Sequence, residues 1–293
     1  MSTSPPVLAI AIEPGRLAAG LVDQRGSVLV RDRVAMPTRD VWRSLERLVR
    51  RVLAATPESV PPFMAVGVSC VGPIDVRSGA VSPPHVASWR QFPLSEHLEA
   101  LTDRQVILDT AGGAAVEAER WLGEAKTTPS FMSIVIDAVV DSAIVIDGIR
   151  LSGAHGNAGS IAHTTVDPDG RECWCGARGC LDPYVGAMAL ESEMSRPLRR
   201  ANSSIVDRAG IMLGRAIAST IAMVDVDVVY VAGSVVDGFG DALLDACRRE
   251  IGQRSRLPNL AGLRILEPVE HLSPLVRAAA LAVDGNAANL PVG

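Results

Sequence analysis

Three of the chain's five cysteines, Cys173, Cys175 and Cys180, are crowded into one short segment, and His163 stands shortly before them. The spacing His-x9-Cys-x-Cys-x4-Cys brings together one imidazole and three thiolates. This is a donor set suited to tetrahedral zinc. The segment is rich in turn-forming residues (Pro168, Gly170, Gly176, Gly179), so its backbone can curl around an ion. Four protein ligands close the coordination sphere, so such a zinc is structural and leaves no position open for substrate. The alternatives are reduced, unligated thiols or a chance disulfide, although a Cys-x-Cys pair sits awkwardly for a mutual bridge. An odd cysteine count with tight clustering favours metal over disulfides. Cys70, at the end of a buried strand, and Cys247, in a helix, stand alone and read as core residues.

The other 289 positions look like an ordinary globular chain: of 293 residues, 48% are hydrophobic and 21% charged. The net charge is −5 with no basic block. A nucleic-acid binder usually shows a basic face, so direct nucleic-acid binding is not expected. The small cluster Arg196, Arg199 and Arg200 reads as a solvated loop. No apolar run reaches the ~18–20 residues of a membrane span. The first residues lack the charged start and apolar stretch of a secretory leader. The expected location is the cytoplasm, with no membrane partner.

Periodicity predicts strands over Val7–Ile12, Arg16–Val22 and Val28–Ala35, then a helix over Val41–Ala54 with Thr38 or Asp40 placed to cap it. Met64–Val71 and Gln105–Leu108 read as buried strands, and Ala111–Leu122 as an Ala-rich helix. The pattern then begins again: strands at Phe131–Ile136 and Ser142–Ile146, a long polar stretch from Ser152 to Gly179, and a helix over Ile205–Met223. A strand at Val226–Val231, a helix at Ala242–Ile251, a strand at Leu263–Leu266 and a helix at Leu275–Ala282 follow. This order predicts two α/β lobes. The first spans residues 1–110 and is rejoined by the helix near 273–285. The second spans 111–272 and carries the zinc loop 153–182.

The segment Gly153-Ala-His-Gly-Asn-Ala-Gly-Ser-Ile-Ala-His163, followed by Cys173-Trp-Cys-Gly-Ala-Arg-Gly-Cys-Leu181, resembles the signature of the ROK family (repressor, open reading frame, sugar kinase). Further segments agree: Gly20-Leu-Val-Asp23, Val71-Gly-Pro-Ile-Asp75 with Gly79 and Trp89, Glu119-Arg-Trp-Leu-Gly123, and the turn Asp147-Gly148. The resemblance implies the actin/hexokinase-like (ribonuclease H-like) two-lobed α/β fold, a homodimer, and descent from ATP-dependent sugar phosphorylation. The family's repressors carry a helix-turn-helix module ahead of this body. With a first strand at Val7, no such module is expected here. The stretch between Leu190 and Ser204 is shorter than in the family, which bears on the usual dimer surface.

At the positions that carry kinase chemistry, the resemblance breaks. The family's first phosphate loop, D-x-G-G-T, is Ala11-Ile-Glu-Pro-Gly15 here. Pro14 has no N–H to offer a phosphate, and Glu13 adds a repelling charge. The second loop, glycine-rich in the family, is Asp137-Ala-Val-Val-Asp-Ser-Ala143. The third survives in part as Ala232-Gly-Ser234. Counting back from Glu119-Arg-Trp-Leu-Gly123, the family's Asn-Asp becomes Thr110-Ala111. Ala111 therefore stands at the catalytic Asp position and no catalytic residue is assigned. Asp109 would replace it only after a two-residue shift. The sugar-contact positions become Thr110, Ser160, His163 and Asp182. Zinc is the expected ion, and these loops argue against ATP with Mg²⁺.

Three functions compete. The first is a non-catalytic sugar- or metabolite-binding regulator, acting alone or through a protein partner. The second is an ATP-dependent kinase of the glucokinase or N-acetyl-amino-sugar type, its base supplied by Asp109, Asp137 or Asp141. The third is a different enzyme using His85, His97, His155 or His271, residues that more often pack or face solvent. Trp42 and Trp121 read as packing residues, while Trp174, between two ligands, is placed to cover the ion.

Overall fold

The computed structural model describes residues 4–254, 257–268 and 272–283; His271 and residues 284–285 of the expected closing helix lie outside them. The chain divides into two units. Met1–Thr127, Ser152–Ala158 and Leu272–Gly293 make the first; Thr128–Leu151 and Gly159–His271 make the second.

In the first unit, β1 (Val7–Glu13), β2 (Arg16–Val22) and β3 (Val28–Ala35) form an antiparallel meander. There follow α1 (Val41–Ala54), β4 (Val66–Cys70), the small hairpin β5 (Ile74–Asp75) and β6 (Ala80–Val81), α2 (Leu94–Thr102), β7 (Val106–Thr110) and α3 (Ala111–Trp121). A closing helix, α10 (Pro274–Ala280), returns to this unit. The strand order is β3-β2-β1-β4-β7, with β4 parallel to both β1 and β7. β1 is apolar from Val7 to Ile12 because both of its faces are covered there. Leu8, Ile10 and Ile12 share a core with Leu45 and Leu48 of α1, while Ala9 and Ala11 share another with Ala278 and Ala279 of α10. The alanine face is small because α10 lies close: a Cβ on Gly67 of β4 would stand 2.0 Å from the Ala278 carbonyl oxygen.

The apolar stripe of α1 is buried as its spacing predicts. Its cap differs from the expectation. Asp40 occupies the N-cap position at φ 50° and its side chain makes no capping bond. The division expected after residue 110 also differs, because α3 packs in the first unit, against α10, β4 and β7. Its first turn, Gly112–Ala115, is built of small buried residues, which allows that approach. Residues 152–158 join the first unit too. The Asn157 carboxamide accepts from the Ile74 N–H (2.9 Å) and donates to the Ile74 carbonyl (2.7 Å), and the Val76 N–H bonds the His155 carbonyl.

The second unit repeats the strand order. β8 (Phe131–Ile136), β9 (Val140–Ile146) and β10 (Ile149–Arg150) are the meander. After it come α4 (Asp182–Val185), α5 (Ala187–Met194), α6 (Ser203–Val224), β11 (Val228–Ala232), α7 (Ser234–Phe239), α8 (Asp241–Arg254), α9 (Pro258–Ala261) and β12 (Arg264–Leu266). The sheet runs β10-β9-β8-β11-β12, with β8, β11 and β12 parallel. Asn202 caps α6 by accepting from the Ile205 N–H. α6 lays Leu213, Ile217 and Ile221 into the core with Ile134 and Val231. Among the described residues, no helix is long and apolar enough to cross a membrane.

Candidate functional site

In the second unit, the backbone from Ala162 to Asp182 folds into a ladder and a knuckle. Leu181 and Asp182 donate to the carbonyls of Thr164 and Ala162, and Val166 donates to Gly179. This pairing sets His163 beside Cys180. Beyond it, Cys173 N–H bonds the Ala177 carbonyl and Gly176 N–H bonds that of Cys173, so residues 173–177 turn tightly and present two sulfurs inward. Gly179 has φ 73°, and a Cβ there would sit 1.7 Å from the Asp167 carbonyl oxygen. Glycine is therefore required where the knuckle meets the ladder.

The donor atoms of His163, Cys173, Cys175 and Cys180 all lie within 4.8 Å of one another. Cys173 Sγ is 3.5 Å from His163 Nδ1, and Cys175 Sγ is 3.7 Å from Cys180 Sγ. That separation is not a disulfide, and none of the five cysteines is in a disulfide. Burial pushes the Cys173 thiol up to about 12 and raises Cys180 as well. Cys175 is lowered instead, the cost of its burial being outweighed by the Ala177 N–H and the neighbouring thiols. A bare cluster would therefore keep protons on its buried sulfurs, whereas a cation among four converging donors favours the thiolates. The donor set fits a metal ion of the thiolate-binding class.

Asp182 follows directly from this cluster and is buried. One carboxylate oxygen accepts the Val140 N–H at 2.7 Å and the other the Trp174 indole N–H at 3.2 Å. Trp174, 47% exposed, stands edge-on to the His163 ring with centroids 4.5 Å apart. Burial raises the Asp182 carboxyl, partly offset by those two donors and by His163. Desolvation lowers His163, against the pull of Asp182 and Asp141. Ser160 is exposed nearby in sequence. Asp182 thus ties the β8–β9 turn to the cysteine knuckle, and Ser160 and His163 keep accessible polar surface.

The β8–β9 turn carries a second arrangement. Asp137 Oδ1 accepts the Ser234 N–H at 2.8 Å, at the first residue of α7. The turn's carbonyls at Asp137 and Ala138 accept from Ala187 and Met188 at the start of α5. An internal carboxylate thus occupies the N-terminus of α7. Sequence marks Asp137 as the first residue of the altered second loop and as a candidate base, but not its partner, which lies 97 residues away.

In the first unit, Thr110 ends β7 and caps α3: its hydroxyl accepts the Gly113 N–H at 3.1 Å, and its N–H donates to Asp109 Oδ1 at 2.7 Å. Ala111 is the first residue of the helix. Asp109 is fully buried. Glu13 pairs with Arg16 across the β1–β2 turn. Of the histidines, His97 packs on Trp42 and Phe92, and its Nδ1 lies 2.9 Å from the Pro93 carbonyl. Burial lowers His85 to about 4. His155 is exposed.

The family model of the ROK family matches residues 7–282. The chain belongs to the ROK family. A glucokinase from Thermotoga maritima is 28% identical over 196 residues, 64% of this chain and 60% of that protein. An N-acetylmannosamine kinase from Haemophilus influenzae is 26% identical over 244 residues, 78% of this chain and 80% of that protein. A ROK family glucokinase from Streptomyces griseus, solved in complex with glucose and AMPPNP, superposes with a TM-score of 0.80 at 22% identity. That match covers 96% of this chain and all of that one. The fold is the actin-like ATPase fold of these ROK kinases.

Proposed function

We propose that this ROK protein is a sugar- or metabolite-binding regulatory protein that does not transfer phosphate, built on a kinase scaffold with a structural zinc. The observation that carries this reading is the Asp137 carboxylate on the Ser234 N–H. The family resemblance puts phosphate loops at Asp137–Ala143 and Ala232–Ser234. Amide N–H groups at such places normally meet an anion. Here the protein supplies its own, and a nucleotide phosphate would meet both a repelling charge and an occupied donor. Pro14 and Glu13 in the other turn and Ala111 at the base position act in the same direction. A missing general base alone costs about 10²–10⁴-fold in rate.

For a ligand, Ser160 and His163 offer hydrogen-bonding surface. Thr110 and Asp182 are proposed sugar contacts that also act as a helix cap and a buried tie. Zinc follows from a Cys3His donor set. A homodimer in the cytoplasm, with a further protein as partner, completes the proposal.

The glucokinase and N-acetylmannosamine kinase relatives favour a second reading, an ATP-dependent sugar kinase whose base is Asp109, Asp137 or Asp141. An ADP-release assay over a panel of hexoses and N-acetyl-amino sugars separates the two. The regulatory reading expects no turnover above background. A sugar-dependent rate near ~1 s⁻¹, ordinary for a kinase, would replace it with the kinase reading. Melting shifts with each sugar then identify the ligand, since a ligand well above its dissociation constant stabilises the fold.

A further inference from the structure

A cavity of about 500 Å³ opens in the first unit between β2, β3 and the start of α10. Arg31 and Arg33 line it from β3. They are two residues apart on one strand, so both side chains leave the same face of the sheet. Their cross-strand partners on β2 are Gly20 and Ala18, whose small size leaves the space open. Pro274 and Leu275 add an apolar wall.

The charge at this cavity does not cancel. Two acids line it, Glu13 and Asp32, and each already has a counter-ion: Arg16 for Glu13, and Arg51 of α1 for Asp32, at 2.7 Å. Among the described residues, Arg31 and Arg33 make no side-chain ion pair or hydrogen bond. Two neighbouring guanidinium groups therefore share one concave face without an anion. Arginine's planar fork matches the oxygens of a phosphoryl group, and the volume lies within the range of small-molecule sites.

We propose that this cavity binds a phosphate-bearing small molecule, its phosphoryl oxygens held by Arg31 and Arg33 and its body resting on Ala18, Pro274 and Leu275. The site belongs to the first unit alone and does not depend on whether the protein is a kinase. Arginines on an edge strand also discourage strand addition, but that role requires no cavity beside them.

Isothermal titration of the full chain with inorganic phosphate and with phenyl phosphate, at matched ionic strength against chloride, tests the proposal. Saturable binding is expected for both. Tighter binding of phenyl phosphate would identify an ester as the natural form, and tighter inorganic phosphate the free ion. R31Q/R33Q should weaken both by at least about tenfold. R31K/R33K, which keeps the charge and loses the fork, should fall between. R47Q, an exposed charge change on α1, should leave binding unchanged. All variants alter exposed side chains, and circular dichroism checks that they fold. Absence of saturable binding of either phosphate up to about 10 mM, or the same affinity in R31Q/R33Q as in the parent, overturns it.

Discussion

The β1–β2 turn and the β8–β9 turn stand at the same step of the same strand order, each with an acid at its first corner, yet the acids do different work. Glu13 pairs with Arg16, its near neighbour across a two-residue turn. Asp137 reaches to a helix 97 residues on and caps it. The first acid is a local feature that any hairpin can carry. The second joins two separate segments. The second unit is further tied together by Asp182, which links the same turn to the cysteine knuckle. Its turn is thus held by segments far away in sequence, while the first unit's turn is held within its own meander, by the Glu13–Arg16 pair and the Met36 N–H on the Gly15 carbonyl.

The largest test of that difference is the metal cluster. Stripping the ion with a chelator, or C173S/C180S, should destabilise the second unit by roughly 5 kcal/mol or more, since structural metal binding is folding energy. Calorimetry with and without chelator, beside metal analysis, measures it. An unchanged melting curve would remove the ion from the account of what holds this turn.

Next is a buried acid of the first unit, Glu119 near the end of α3. Burial pushes its carboxyl up to about 7, against the lowering effect of the Glu124 N–H. A carboxyl whose folded value is raised contributes stability below its unfolded value, near 4.5, and that contribution is lost as pH rises through about 7. The parent should lose up to about 3 kcal/mol across this window. E119Q should be flatter, so the gap between them narrows or reverses in the variant's favour at pH 8. Denaturant melts at pH 4, 6 and 8 read the difference directly.

The turns themselves give the smaller effects. D137A removes a carboxylate cap and should cost about 1 kcal/mol, seen in the denaturant midpoint. E13A removes a part-exposed ion pair and should shift stability by no more than about 0.5 kcal/mol. If the two substitutions cost the same, the contrast between the turns is wrong. If D137A also gains measurable ATP affinity, the internal carboxylate is what excludes the nucleotide.

What the chain alone determined is what repeats over short distances. β2, β3, α1 and β8 fall where their periodicity places them, because burial of one face or of both writes itself into neighbouring residues. The clustering of His163, Cys173, Cys175 and Cys180 was legible for a similar reason, all four being confined to one segment with turn residues between them. α2 was not legible, since its buried positions are few, Leu94 and Leu98, and Pro93 precedes them. Only the tertiary structure decided that residues 152–158 dock on Ile74, that Asp137 caps α7, that Trp174 holds Asp182, and that Arg31 and Arg33 flank a cavity. Each of these joins side chains to partners supplied by other elements. A hydrogen bond across 83 or 97 residues leaves no periodic trace in either segment, so packing alone reveals it.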